Sequence, residues 1–219
     1  MMIKRSLGVR LLTLVFSALV ILPIQAQEYM FTYSKLYGQI KHNNNEELDR
    51  VKVGLFFIHQ ESQQLCTISK AWMEKEEHYE SFVIPDNNEL PLPLDANLRS
   101  ANPLVFVQLL DNKQCDYSMV VMTKEPFSGS VGQQEVSLVM SQMQTLLAEL
   151  SGLFSRWFTP EISGITLEFA TIKDGEFLTS EGNKVAIVNG KSRILLSDLS
   201  SDESLLLPEK TRRVLPYIL

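Results

Sequence analysis

The stretch WMEKEEHYE, Trp72 to Glu80, holds the residues whose types and spacing come nearest to doing chemistry. Four glutamates and a histidine lie within nine residues. In a continuous strand, alternation would place Glu74, Glu76 and His78 on one side, where they could bind a metal ion or transfer protons. This stretch is therefore the first candidate for a site.

The flanking residues favour a turn instead. Leu65–Met73 and Tyr79–Ile84 have the composition of two paired strands, so EKEEH is predicted to be the solvated connection between them. A site would also need an apolar pocket around its ligands. We interpret the stretch as a solvent-exposed hairpin rather than a functional site. The alternative is an envelope hydrolase that uses carboxylates from Glu74–Glu80 together with Asp116.

Other chemical signatures are weak. His42, His59 and His78 match no metal-ligand spacing, and each is next to a polar turn. FSGSVG around Ser130 lacks the residue between glycine and serine that a nucleophile elbow uses. The sequence also has no glycine-rich phosphate loop and no closely spaced cysteine pair. We expect no catalytic residue, no metal and no cofactor.

The first 26 residues are typical of a secretory signal peptide. Basic residues precede the apolar run Leu11–Leu22, which is shorter than the roughly 20 residues of a membrane-spanning helix and is followed by Pro23. We expect cleavage after Ala26, with an uncleaved N-terminal anchor as the alternative. No transmembrane segment is expected after the signal.

The charge balance is acidic. The chain has 20 basic and 26 acidic residues, which gives a formal net charge of −6. Because three basic and no acidic residues lie in the signal, the processed chain would carry −9. This balance disfavours nucleic acid and anionic lipid as partners, since both reward clustered lysine and arginine.

Cys66 and Cys115 are the two cysteines, and in an exported chain their default fate is a disulfide. Two hairpins with polar turns are predicted, and each return strand carries its cysteine just past the turn. Hairpins on neighbouring or facing sheets would bring the cysteines together. The strands of the two hairpins are Val51–His59 with Leu65–Met73, and Leu104–Leu110 with Cys115–Met122.

The rest of the N-terminal part supports an antiparallel, sandwich-like β domain over residues 27–126. HYESFVIP and ELPLPLD are predicted to be edge strands, because their prolines cannot donate to a central ladder. A connector and one long amphipathic helix are expected over 127–160, with the helix from Gln133 to Phe158. The aromatic residues at its end, Phe154, Trp157 and Phe158, are the candidate partner-binding residues.

The last part, residues 161–219, is predicted to be a small β-rich segment that packs against the helix, since it is too short to bury a core alone. Its expected strands are GITLEFA, KVAIV, SRILLSDL and TRRVLPYIL, with EGNK and NGKS as tight turns. The fold class is therefore α+β, mainly β.

Several phrases together carry a resemblance, among them FTYSKLYGQIKHN, KAWMEKEEHYE, LPLDANLRSANPLVFVQ and TRRVLPYI. They resemble an exported gammaproteobacterial family with a domain of unknown function, the DUF2987 family. The resemblance implies an extracytoplasmic protein of a Gram-negative envelope and carries over no catalytic residue. We expect a non-catalytic, soluble periplasmic binding or adaptor module for an envelope protein or small ligand. A self-associating structural subunit is a further alternative.

Overall fold

The structure is a computed structural model that describes residues 27–110, 114–151 and 160–219. The described residues form an α+β protein, mainly β, with antiparallel strand pairs. The strands are β1 Glu28–Thr32, β2 Val51–His59, β3 Ile68–Lys75, β4 His78–Phe82, β5 Leu104–Leu109, β6 Cys115–Thr123, β7 Ser130–Gly132, β8 Ile162–Glu168, β9 Gly175–Leu178, β10 Lys184–Ile187, β11 Lys191–Leu195, β12 Ser204–Leu206 and β13 Arg213–Ile218. The helices are α1 Tyr33–Ile40, α2 Ala96–Ala101 and α3 Gln133–Ser151.

The largest sheet has four strands in the order β1-β5-β3-β4. Its inner face buries alternate residues, as period-two patterning requires. Strand β2 pairs with β6 outside this sheet and is buried on both faces over its central residues. Aromatic side chains of β1 pack against this second pair, with the Tyr29 and Phe57 ring centres 4.7 Å apart.

The predicted hairpin pairings are wrong. β2 pairs with β6 from Val51↔Thr123 to His59↔Cys115, and β3 pairs with β5 rather than with β2. A single bridge, Ile58 to Leu65, remains of the first predicted hairpin. Burial explains why these strands pair differently. Strand β2 has apolar residues on both faces, so other parts of the chain must cover both, whereas β5 has one face open to solvent.

One of the two predicted edge strands is present. HYESFVIP forms β4 at the edge of the four-stranded sheet. ELPLPLD forms no strand: Leu90 donates its N–H to the Leu55 carbonyl, but Pro91 and Pro93 have no N–H with which to continue a ladder. Helices α1 and α2 were not predicted.

The disulfide between Cys66 and Cys115 is present, as predicted. Their Cα atoms are 6.5 Å apart. Cys115 begins β6, while Cys66 lies ahead of β3 and donates its N–H to the Phe57 carbonyl of β2. The bridge therefore fastens the β2–β6 pair to the chain that enters the four-stranded sheet.

The helix begins at Gln133 as predicted and is described to Ser151. Its buried residues recur three and four apart, so one stripe faces the core. This stripe contacts β2 and β6 on one side and β8 on the other. Helix α3 is thus the packing element between the N-terminal strands and the last part of the chain. The buried residues are Val136, Val139, Met140, Met143 and Leu146.

The last part of the chain is β-rich, as predicted. β8 is the central strand of the sheet β11-β8-β13, while β9 pairs with β10 and β12 pairs with β7. Both predicted tight turns contain left-handed residues, Asn189 and Gly190 at φ 53 and 76 and Gly182 at φ 84. Strands β9 and β12 were not predicted. None of the helices in the described ranges is long and apolar enough to cross a membrane.

Candidate functional site

The stretch WMEKEEHYE is a hairpin, as predicted. β3 and β4 pair up to Lys75↔His78, which leaves Glu76 and Glu77 as the two-residue loop. Glu76 has φ 55, in the left-handed region that tight hairpin turns demand. Both loop glutamates are exposed to solvent. Charged residues are expected in a solvent-exposed hairpin turn, so these glutamates do not require a bound ligand to explain them.

Glu74, His78 and Glu80 border one cleft of about 340 Å³, but alternation places the Glu74 and Glu80 carboxylates on opposite faces of the strand pair. Glu76, Glu77 and Glu80 are exposed, and Glu74 accepts a hydrogen bond from Trp72 Nε1 at 3.1 Å. Asp116 lies in β6, outside the hairpin's sheet, and accepts from Gln60 Nε2 at 2.8 Å. The arrangement gives the hydrolase alternative no paired acid and base.

The histidines are separated in the fold. Nδ1 of His42 is 2.7 Å from a carboxylate oxygen of Glu149, while His59 contacts the hydroxyl of Ser62 at 2.9 Å. His78 follows the hairpin loop. Within the described ranges, no three histidine, cysteine or acidic side chains are grouped so as to hold a metal ion.

The open face of the four-stranded sheet carries an aromatic and apolar row that the sequence analysis missed. We call this surface the outer face. Register places Phe106 between Met30 of β1 and Trp72 of β3. The Trp72 and Phe106 rings stack at 5.1 Å and 9°, and Tyr79 lies on the other side of Trp72 at 6.3 Å. The apolar residues of the outer face are Met30, Trp72, Tyr79, Leu104 and Phe106.

Three of these side chains are exposed to solvent: Met30 is 62% exposed, Tyr79 53% and Leu104 36%. Lys70 is placed over the row, with Nζ 4.7 Å from the Trp72 ring centre. Carboxylates outnumber amines around the row. Register places Glu28 and Glu74 on the outer face with Lys70, and the exposed Glu76, Glu77 and Lys75 lie at the hairpin end.

The family model described as "Protein of unknown function (DUF2987)" matches residues 25–169. The chain belongs to the DUF2987 family. No curated protein and no solved structure matches it. The DUF2987 match takes in every strand of the outer face, the disulfide and α3, and it ends one residue after β8.

The candidate partner-binding residues Phe154, Trp157 and Phe158 lie outside the described residues, although inside the DUF2987 match. The outer face is the aromatic surface that the described residues do show. Its sequence signal was the alternation of Met30, Phe106 and Trp72 with buried neighbours. Those residues come from three strands, so the signal has no meaning until the strand pairing is known.

Proposed function

We propose that this DUF2987 protein is a non-catalytic, soluble binding or adaptor module of the periplasm in a Gram-negative envelope. Two features support the compartment. The first 26 residues are typical of a secretory signal. The Cys66–Cys115 disulfide is of the kind that persists in oxidising compartments.

The outer face is the observation that carries the adaptor role. Contiguous apolar residues on an open surface are characteristic of interaction sites when polar groups surround them. Here the row is aromatic at its centre, and aromatic residues supply much of the energy of protein interfaces. The opposite faces of the same strands pack the core, and the row lies outside that core.

The partner should be a protein surface with an apolar centre and a basic rim. The acidic side chains around the outer face would complement lysine and arginine on such a partner. The row is also fixed before binding, because Trp72 is stacked between two rings and hydrogen-bonded to Glu74. Side chains that are already ordered lose less entropy on association.

A crosslinked pull-down from the native envelope tests this role. The double variant Met30→Ser and Tyr79→Ser removes the two most exposed side chains of the row. We expect at least a tenfold drop in the crosslinked companion, since losing two apolar anchors costs on the order of 1.4 kcal/mol or more. The matched control is Val188→Ser, a 58% exposed apolar residue in the β10–β11 turn, which should leave capture unchanged.

The identity of the crosslinked companion, and the segment of it that is crosslinked, distinguish an adaptor from the other possible roles. Crosslinks from the outer face to a segment rich in lysine and arginine support the proposal. Equal capture by the double variant and the control variant overturns it. Capture of the same chain would indicate a self-associating subunit, and light scattering would then show an oligomer that the double variant dissociates.

A further inference from the structure

A basic cleft lies on another part of the molecule. It has a volume of about 480 Å³ and is formed where the chain just before β13 meets the end of β6 and the loop after β4. Four of its lining residues are basic, in a chain whose formal net charge is −6. The basic lining residues are Lys124, Lys210, Arg212 and Arg213.

The backbone holds these residues in place from several sides. Arg212 donates its N–H to the Glu168 carbonyl of β8 at 2.6 Å, and Thr211 donates to the Phe127 carbonyl at 2.9 Å. Lys124 donates to the Arg50 carbonyl at 2.8 Å. The basic cleft is therefore fixed by the core of the fold rather than by a free loop.

The four cations differ in how far they are neutralised. The positive charge of Arg213 is neutralised by Glu168, because Arg213 Nε donates to Glu168 Oε2 at 2.6 Å. The Arg213 guanidinium also lies over the Phe56 ring. Arg212 makes one contact to an oxygen, from Nη2 to the Asp86 carbonyl at 3.2 Å. Once the Asp86 carboxylate is also counted, two positive charges of the lining are left uncompensated.

The surroundings of Arg212 disfavour its positive charge. Its Nε is buried and has no hydrogen-bond partner among the described residues. Burial, and then the charge of neighbouring Arg213, lowers the pKa of the Arg212 guanidinium. An anion in the cleft would accept a hydrogen bond from Arg212 Nε. Its negative charge would also offset the repulsion between Arg212 and Arg213.

We propose that the basic cleft binds a phosphate dianion, carried by a small molecule or by a lipid headgroup. The two uncompensated charges match the charge of a phosphate monoester near neutral pH. Arginine and lysine are the side chains that recognise phosphate oxygens. A cleft of 480 Å³ lies in the size range of small-ligand sites.

Titration with inorganic phosphate, followed by amide NMR at low salt, tests the site directly. We expect saturable shifts at Lys124, Lys210 and Arg212. Arg212→Gln should weaken binding by about tenfold to a hundredfold, since a charge-assisted hydrogen bond is lost. Lys210→Gln, at an exposed position, tests the same site without risk to the fold. Arg193→Gln on β11 is the matched control and should bind phosphate as the natural chain does.

Two further probes separate the sources of phosphate and challenge the chemistry. Sedimentation with vesicles that contain phosphatidic acid, whose headgroup is a phosphate monoester, but not with phosphatidylcholine vesicles, would identify a lipid headgroup if Lys210→Gln weakens it. Phosphate binding without vesicle binding would identify a soluble ligand. The proposal is overturned if acetate binds as tightly as phosphate, if the cleft variants bind like the control, or if neither phosphate nor phosphatidic acid binds.

Discussion

Glu168 and Arg213 form an ion pair from which water is almost excluded, since each side chain is 7% exposed. Burial alone would raise the pKa of the Glu168 carboxyl. Arg213, together with Lys191 at 2.9 Å, outweighs that effect and holds the pKa below its ordinary value. The pair joins β8 to β13 and therefore ties the last strand to the region of the family match.

This pair predicts a stability effect that depends on pH. Glu168→Gln leaves the Arg213 charge buried without its counterion, so the free energy of unfolding at pH 7 should fall by about 3 to 5 kcal/mol. A lowered carboxyl pKa stabilises the fold above the unfolded pKa of about 4.3, and that stability is lost as pH falls through the folded pKa. Urea denaturation should therefore show a smaller difference between variant and natural chain at about pH 3.5 than at pH 7.

An exposed ion pair provides the control. Glu176 and Lys184 lie 2.6 Å apart with both side chains more than half exposed, so Glu176→Gln should change stability by less than about 1 kcal/mol. A Glu168→Gln penalty that stays constant across the pH range would contradict the assignment of the effect to ionised Glu168.

At the scale of elements, the sequence predicted the type of structure better than its pairing. Period-two alternation identified β2, β3 and β6, and the three-and-four spacing placed the start of α3. Partners could not be read in the same way, because each strand's alternation fits any neighbour with a matching face. The outer face follows from the pairing, so it could not be predicted either. Helix α1 could have been found, since Tyr33, Leu36 and Ile40 are buried at helical spacing.

Gly164 of β8 lies directly against β11, with no room for a side chain. A Cβ at this position would lie 1.9 Å from the Ile194 carbonyl oxygen, which belongs to the backbone and cannot rotate away. Gly164→Ala should therefore lower the free energy of unfolding by about 3 kcal/mol. The measurement is the shift of the urea midpoint.

Gly38 is the matched control for this substitution. It lies within α1, and a Cβ there meets nothing within 4 Å. Gly38→Ala should raise the free energy of unfolding by about 0.5 to 1 kcal/mol, since alanine favours a helix over glycine. If both variants moved in the same direction, the strand contact would not be the cause.

At the scale of the whole molecule, the disulfide was predictable although the hairpins around it were not. The count of two cysteines in a chain with a signal-like start was enough to suggest the bond. The geometry offered for it was wrong, because the cysteines meet through the β2–β6 pairing and not through two separate hairpins. The disulfide prediction was correct although the predicted topology was wrong, because residue type and compartment supported the bond independently of the hairpin geometry.

The bond links positions separated by 49 residues, so its removal should free a long loop in the unfolded chain. The chain-entropy estimate for that loop is about 4 kcal/mol. The double variant Cys66→Ala and Cys115→Ala should lose about this much stability in urea, and the natural chain in reductant should match it. Mass analysis of the protein from its native envelope, without reductant, should find both thiols oxidised. Two alkylatable thiols would contradict the proposal of a periplasmic location together with the bond, because both rest on an oxidising compartment.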